Sequence, residues 1–228
     1  MIMDALFLQT LWVTFKLAFL TTLSLIIIGL PIAYWLTYSR IKIKPVIEAL
    51  VSMPMVLPPS VIGYYMLIVY SPHYWFGTFL RKTFDLNLAF TFEGVLIASI
   101  IFSLPFMVQP IHNGLRLLPD SLREASYTLG KSKITTFLKV LVPNIKTSVI
   151  TGIALTFAHS IGEFGVVLMV GGNMPGKTRV ASIAIYDEVQ ALNFSTANNY
   201  AFILFVISFV LLTTIYSVNK KYDTWRMI

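Results

Sequence analysis

The sequence predicts an all-α integral membrane protein with about five transmembrane helices. Hydrophobic residues make up 57% of the chain and charged residues only 12%, with a mean hydropathy of +0.78, which lies outside the range of soluble domains. The apolar residues come in runs long enough to cross a bilayer. The basic residues that give a net charge of +7 sit in short clusters between those runs, the pattern that orients a membrane protein and not the pattern of a nucleic-acid surface.

A hydrocarbon core about 30 Å thick takes roughly 20 residues at about 1.5 Å each. The 228 residues therefore hold five or six helices with short loops, read as one domain over 1–228. Met1-Ile2-Met3-Asp4 places no positive residue ahead of the first run, and no small-residue cleavage site interrupts it, so this helix is expected to be retained. The candidate spans are Leu11 to Leu36, Val46 to Tyr70, Gly94 to Asn113, Ile145 to Val170 and Tyr200 to Ser217. The first loop, the third loop and the carboxyl tail together carry Arg40, Lys42, Lys44, Arg116, Arg123, Lys131, Lys133, Lys139, Lys146, Lys220, Lys221 and Arg226, twelve of the 17 lysines and arginines. The excess of positive charge on cytoplasmic loops then puts the amino terminus outside and the carboxyl terminus inside.

In the second span Pro54, Pro58 and Pro59 break the backbone ladder. A kink there either serves packing or faces a pathway or partner, because freed carbonyls in lipid need protein or water. The segments Ser71 to Glu93 and Gly171 to Asn199 are long for connectors. Within the second, Arg179 to Leu192 is mildly amphipathic and is expected as a short helix lying at the outer interface or dipping inward, with the depth of 172–198 left open.

The third loop, about 118–143, reads as a short capped helix. Ser121 and Glu124 fit a capping box, Gly130 stands where a left-handed C-cap is needed, and a second helical run from Ser132 to Val142 ends at Pro143. In the fourth span Gly162 and Gly165 share a face where small residues let helices approach. Glu163 lies about two-thirds of the way across. An ionisable group at that depth is a functional candidate, with His159 one turn earlier as a candidate partner.

The chemistry-bearing residues do not assemble an enzyme. His73, His112 and His159 form no H-E-x-x-H, and His159 and Ser160 would point about 100° apart on a helix. Cysteine is absent, and no Walker A sequence occurs, so the chain is not expected to hydrolyse ATP.

Glu124-Ala125-Ser126, with Gly130 four residues later and Val140-Leu141-Val142-Pro143 beginning ten after that, resembles the cytoplasmic signature of ABC importer permeases. Ser126 stands where the family has a second alanine, and valines replace an isoleucine and a leucine. The resemblance implies the type I importer permease fold and assigns Glu124, Ala125 and Gly130 to coupling with an ATPase. Met53 to Tyr64, Gly162-Glu163-Phe164-Gly165 and Gly172 to Thr178 with Ile183-Ala184-Ile185-Tyr186 are similar to the molybdate-type permeases in particular, while sulfate permeases share the Gly-Glu-Phe-Gly piece.

The resemblance implies a multi-pass cell-membrane homodimer carrying molybdate or tungstate by alternating access. Its partners would be two copies of an ATP-binding subunit holding ATP and magnesium, and an extracytoplasmic oxyanion-binding protein. No cofactor of its own and no nucleic acid are expected. Pro58, Pro59, Gly162, Glu163 and Gly165 are pathway or gate candidates, and no substrate ligand is assigned. A sulfate-type permease and a stand-alone secondary transporter are the alternatives.

Overall fold

The computed structural model describes residues 5–224, with side chains described as far as 217. Met1 to Asp4, the Lys220 and Lys221 side chains and Arg226 lie outside the described residues. The described residues form helices α1 (Ala5–Tyr38), α2 (Lys44–Ser52), α3 (Pro59–Tyr70), α4 (Trp75–Phe84), α5 (Phe92–Arg116), α6 (Asp120–Thr128), α7 (Lys133–Thr136), α8 (Val142–Asn144), α9 (Lys146–Gly162), α10 (Gly165–Gly171), α11 (Ala181–Gln190) and α12 (Phe194–Thr224). Three of them, α1, α5 and α12 to Ser217, are long and apolar enough to cross a membrane alone, and two bent pairs raise the number to five.

Those bends are the main departure from five straight rods. Lys44–Met55 and Pro59–Tyr70 meet at 108°. Pro58 caps α3 in an extended conformation (ψ 137°) and Pro59 starts it, so the prolines end one helix and begin another. Lys133–Asn144 and Lys146–Gly162 meet at 80°. The expected fourth span, Ile145 to Val170, is also divided at Glu163, whose backbone is extended (ψ 131°).

The connector from Ser71 to Glu93 holds α4 and buries Leu88, a helix the sequence reading missed. The amphipathic stretch at 179–192 holds α11, which packs against α1: the Ala181 N–H donates to Thr14 Oγ1 at 2.8 Å, with Ile183 and Ala184 buried.

α1, α5 and α9 pack mutually at the centre. At one end Leu25, Leu36, Met107, Ile111, Leu115 and Leu141 form an apolar core. At the other, Leu17, Val95, Phe102, Val166, Val170 and Ile183 form a second. The first end carries α6 to α8, and the second carries α4 and the turn into α11. In lipid such cores stabilise by close packing more than by exclusion of water, so polar groups between helices carry much of the specificity. Thr10, Thr14, Thr22 and Thr37 on α1 each donate a hydroxyl hydrogen to the carbonyl four residues earlier, and those donors need no other acceptor.

Candidate functional site

The segment from α6 to α8 is built on one turn. α6 ends at Leu129, and Gly130 takes φ +72°. The Gly130 N–H donates to Tyr127 O (2.9 Å) and the Lys131 N–H to Ser126 O (3.1 Å), a Schellman closure that only a left-handed residue allows. The capping box does not form: the helix begins at Asp120 after Pro119, which has no acceptor side chain, so Ser121 lies inside the first turn instead of before it. Asp120 takes the favourable first-turn position and bonds Arg123 at 3.1 Å, and the Arg123 guanidinium lies 4.4 Å from the centre of the Tyr38 ring, pinning α6 to the end of α1.

After the turn, Ser132 caps α7 by accepting the Thr135 N–H at 3.2 Å. Buried Ser126 and Thr136 join their hydroxyls across the turn at 2.8 Å. The helix does not end at Pro143. A wide π turn at 137–141, closed by the Val142 N–H on Phe137 O, comes before the proline, and α8 runs on to Asn144. Glu124, Ala125 and Gly130 are all exposed, as are Leu117 (85% exposed), Leu129 (75%) and Ile134 (72%).

The second site lies inside the bundle. Glu163 is 4% exposed, and its Oε2 accepts the Ser99 hydroxyl at 2.8 Å. Ser99 lies seven residues into α5, about 10 Å from the end of that helix. The Glu163 carbonyl accepts the Ser182 hydroxyl at 2.6 Å, while Oε1 is buried with no hydrogen-bond partner among the described residues. His159 is not its partner. Because the helix stops at Gly162, Glu163 leaves the stripe that would put it over His159. His159 Nδ1 instead pairs with Ser103 Oγ at 3.0 Å, and its ring stacks on Phe106 at 4.1 Å. Ser103 also reaches Ser160 Oγ at 3.3 Å.

Pro59 and Gly165 meet: a Cβ on Gly165 would come within 2.7 Å of Pro59 Cβ, and one on Gly63 within 2.6 Å of Met169 Cβ. These glycines let α3 and α10 pack closely, each glycine backbone against a side chain of the other helix. Gly162 makes no such approach. A Cβ there meets nothing within 4 Å, and the residue is exposed, because the break at Glu163 puts Gly162 and Gly165 on different helices. Pro58 is exposed beside the bend. The structure thus joins Pro59 to Gly165 and leaves Gly162 and Pro58 at open surface.

The turn after α10 is fixed by Thr178, whose buried hydroxyl donates to Gly171 O (2.6 Å) and accepts the Met174 N–H (3.1 Å). Arg179 pairs with Asp187 at 2.9 Å, and Asn173 donates to the same carboxylate at 3.0 Å. Among the described residues no three histidine or acidic side chains gather as a metal site. Sequence reasoning missed Ser99, Ser103, Ser182 and Thr136. Single serines and threonines in apolar runs give no signal of their own until a partner helix faces them.

Residues 8–222 match the family described as the inner membrane component of binding-protein-dependent transport systems. The chain is 41% identical over 207 residues to the molybdenum transport system permease protein ModB of Azotobacter vinelandii, covering 91% of this chain and 92% of that one. It is 31% identical to the sulfate transport system permease protein CysT of Salmonella typhimurium, covering 92% and 76%. It is 34% identical to the probable transport system permease protein NifC of Clostridium pasteurianum, covering 90% and 71%. In fold it resembles a chain of the MetNI methionine ABC transporter in inward-facing form (TM-score 0.73, 18% identity, 95% of each chain). It also resembles a chain of a bacterial ABC transporter that imports alginate (TM-score 0.81, 13% identity, 96% and 80%).

Proposed function

Because this chain belongs to the family of inner membrane components of binding-protein-dependent transport systems, and so is the multi-pass permease subunit of an ATP-driven importer, we propose that its cargo is molybdate or tungstate. In this family a separate subunit hydrolyses ATP and a substrate-binding protein delivers the cargo. The observation that carries the cargo assignment is the 41% identity, over nearly the whole length of both chains, to a molybdenum permease. The sulfate reading rests on 31% identity to the Salmonella permease, over a similar stretch of this chain. Reconstituted with its ATP-binding subunit and binding protein, the chain is expected to take up molybdate, with sulfate uptake weak and suppressed by excess molybdate. Sulfate uptake indifferent to excess molybdate would overturn the assignment.

The working assembly is a homodimer with two ATP-binding subunits, and Glu124, Ala125 and Gly130 form the motor contact. ATP-driven closure of the motor displaces α6, and the Ser126–Thr136 bond and the π turn carry that displacement to the bend at Ile145 and so to α9. The far end of α9 is the break at Glu163, beyond which α10 lies against α3 through Gly165 and Pro59. Tilting α9 therefore moves the α3–α10 pair, and alternating access follows from that rocking. Pro58, Gly162 and the buried Glu163 flank this moving seam. A tight oxyanion site would slow release, so none is assigned.

The amino terminus faces outward in this reading. Exposed Lys131 and Lys177 lie at opposite ends of the bundle, and the chain has no cysteine, so single cysteines report on the orientation directly. An impermeant thiol reagent applied outside whole cells is expected to label Lys177→Cys and to spare Lys131→Cys; the reverse pattern would invert the topology.

A further inference from the structure

Helix α4 is held against the end of α3 in one orientation. Gly77 is buried, and a Cβ there would collide with the backbone carbonyls of Tyr70 and Ser71, so only glycine allows the close approach. The Thr78 hydroxyl donates to Pro72 O at 2.6 Å, and Leu80 packs on the apolar core. Asp85, at φ 52°, closes the helix with its N–H on Arg81 O. These contacts prevent the helix from rolling.

At 3.6 residues per turn, three stripes follow. Gly77 and Leu80 face the protein. Trp75, Phe76 and Phe79 form an aromatic stripe roughly 100° wide, and Thr78, Arg81 and Lys82 form a polar one beyond it. The aromatic stripe is open: Trp75 is 80% exposed, and its ring lies nearly parallel to Phe79 at 6.0 Å. Lys82 is exposed, with no ion pair among the described residues. Where the aromatic and basic stripes meet, a shallow cleft of about 490 Å³ is lined by His73, Tyr74, Trp75, Thr78, Phe79 and Lys82.

α3, the second arm of the bent pair, ends at Tyr70 and the apolar helix α5 begins at Phe92, so in the five-span arrangement α4 lies at the edge of the membrane. A helix with protein on one side, aromatic rings on the next and cations on the third meets the demands of the water–lipid boundary, where tryptophan and phenylalanine enter below the headgroups and basic residues meet the phosphates. We propose that α4 is a phospholipid-binding element at the end of the bundle opposite α6. The cleft takes one phospholipid, its phosphate at Lys82 and its upper acyl chain on Trp75 and Phe79. The site braces the corner between α3 and α5, and it is independent of the cargo and of which leaflet it faces.

Trp75 is its own reporter once Trp12, Trp35 and Trp225 are replaced by phenylalanine. The assembled transporter, in vesicles of phosphatidylethanolamine and phosphatidylglycerol, is expected to show roughly threefold stronger quenching of Trp75 by bromines high on the acyl chain than by bromines near its end, since an interfacial helix buries its apolar face only about 5–10 Å deep. Lys82→Gln is expected to leave that depth unchanged and to remove the preference for phosphatidylglycerol over zwitterionic lipid at the site. Water-like emission without quenching would overturn the proposal. So would equal quenching at both depths. A response of Trp75 only to added substrate-binding protein would make α4 a protein-docking surface instead, and an unchanged lipid preference in Lys82→Gln would overturn the phosphate contact.

Discussion

Replacing Gly130 by valine is expected to remove most of the coupled transport while leaving membrane insertion and assembly of the subunit intact. The reason is conformational and not steric, because a Cβ at this position meets nothing within 4 Å. The cost lies in φ +72°, which disfavours an L residue by about 1–2 kcal/mol and a β-branched one most of all. That strain is relieved by opening the Schellman closure, which misaims α6 against α7 and, in the proposed assembly, against the motor. Since about 1.4 kcal/mol is tenfold in a population, roughly a tenfold or greater loss of the docked geometry follows. Gly130→Asn is the discriminating control, for asparagine tolerates the left-handed region and has room here; it should retain most transport. Full coupling in the valine variant, measured as transport per ATP hydrolysed, would remove Gly130 from the motor contact. Ser126→Ala removes the hydroxyl that bonds Thr136 and leaves the Thr136 hydroxyl buried without it. A smaller loss is expected there, because the backbone closure survives.

At Glu163 two substitutions are expected to part sharply. Glu163→Gln keeps nearly the same shape and an oxygen to accept the Ser99 hydroxyl at 2.8 Å, so transport should be largely retained. Glu163→Leu leaves Ser99 without its acceptor in a site closed to water, at a cost of about 1–3 kcal/mol, and it loosens the junction of α5 with the α9–α10 break. Transport or assembly should then fall severalfold. This is the behaviour of an internal strut. A carboxylate that instead slowed the anion by repulsion would give the opposite result in the glutamine variant: faster transport or higher apparent affinity with assembly unchanged. Transport, ATPase activity and assembly measured on both variants in vesicles separate the two, and a clear gain in Glu163→Gln would end the strut reading.

Much of this architecture was legible because lipid imposes simple demands. The three helices long enough to span alone, and the two bent pairs, show as apolar runs, and the left-handed Gly130 shows because glycine after a helical run is the usual solution to ending it. α4 was missed because its ten residues mix aromatic, basic and small side chains, and neither a spanning nor a core pattern results. The capping box misled because Pro119-Asp120 offers the helix an earlier start than Ser121. The pairing of Glu163 with His159 assumed an unbroken helix, and the sequence Gly162-Glu163-Phe164-Gly165 allows the break without announcing it. The Ser99 and Ser103 contacts were invisible for a different reason: they depend on how α5 is rotated against α9, which hydropathy alone does not encode.

The π turn at 137–141 also governs how this chain bears changes of length. A turn closed by a bond from residue 142 back to 137 holds one residue more than an α turn, so it is an insertion already absorbed into the helix. Removing one residue there would restore an ordinary α turn and preserve the angular phase between α7 and the bend at Ile145. The same deletion within α9 would rotate everything beyond it by about 100° and turn Ser160 and His159 away from Ser103. Between the turn at Gly130 and the buried glutamate, the wide turn is therefore the position where a one-residue deletion keeps the two segments in register.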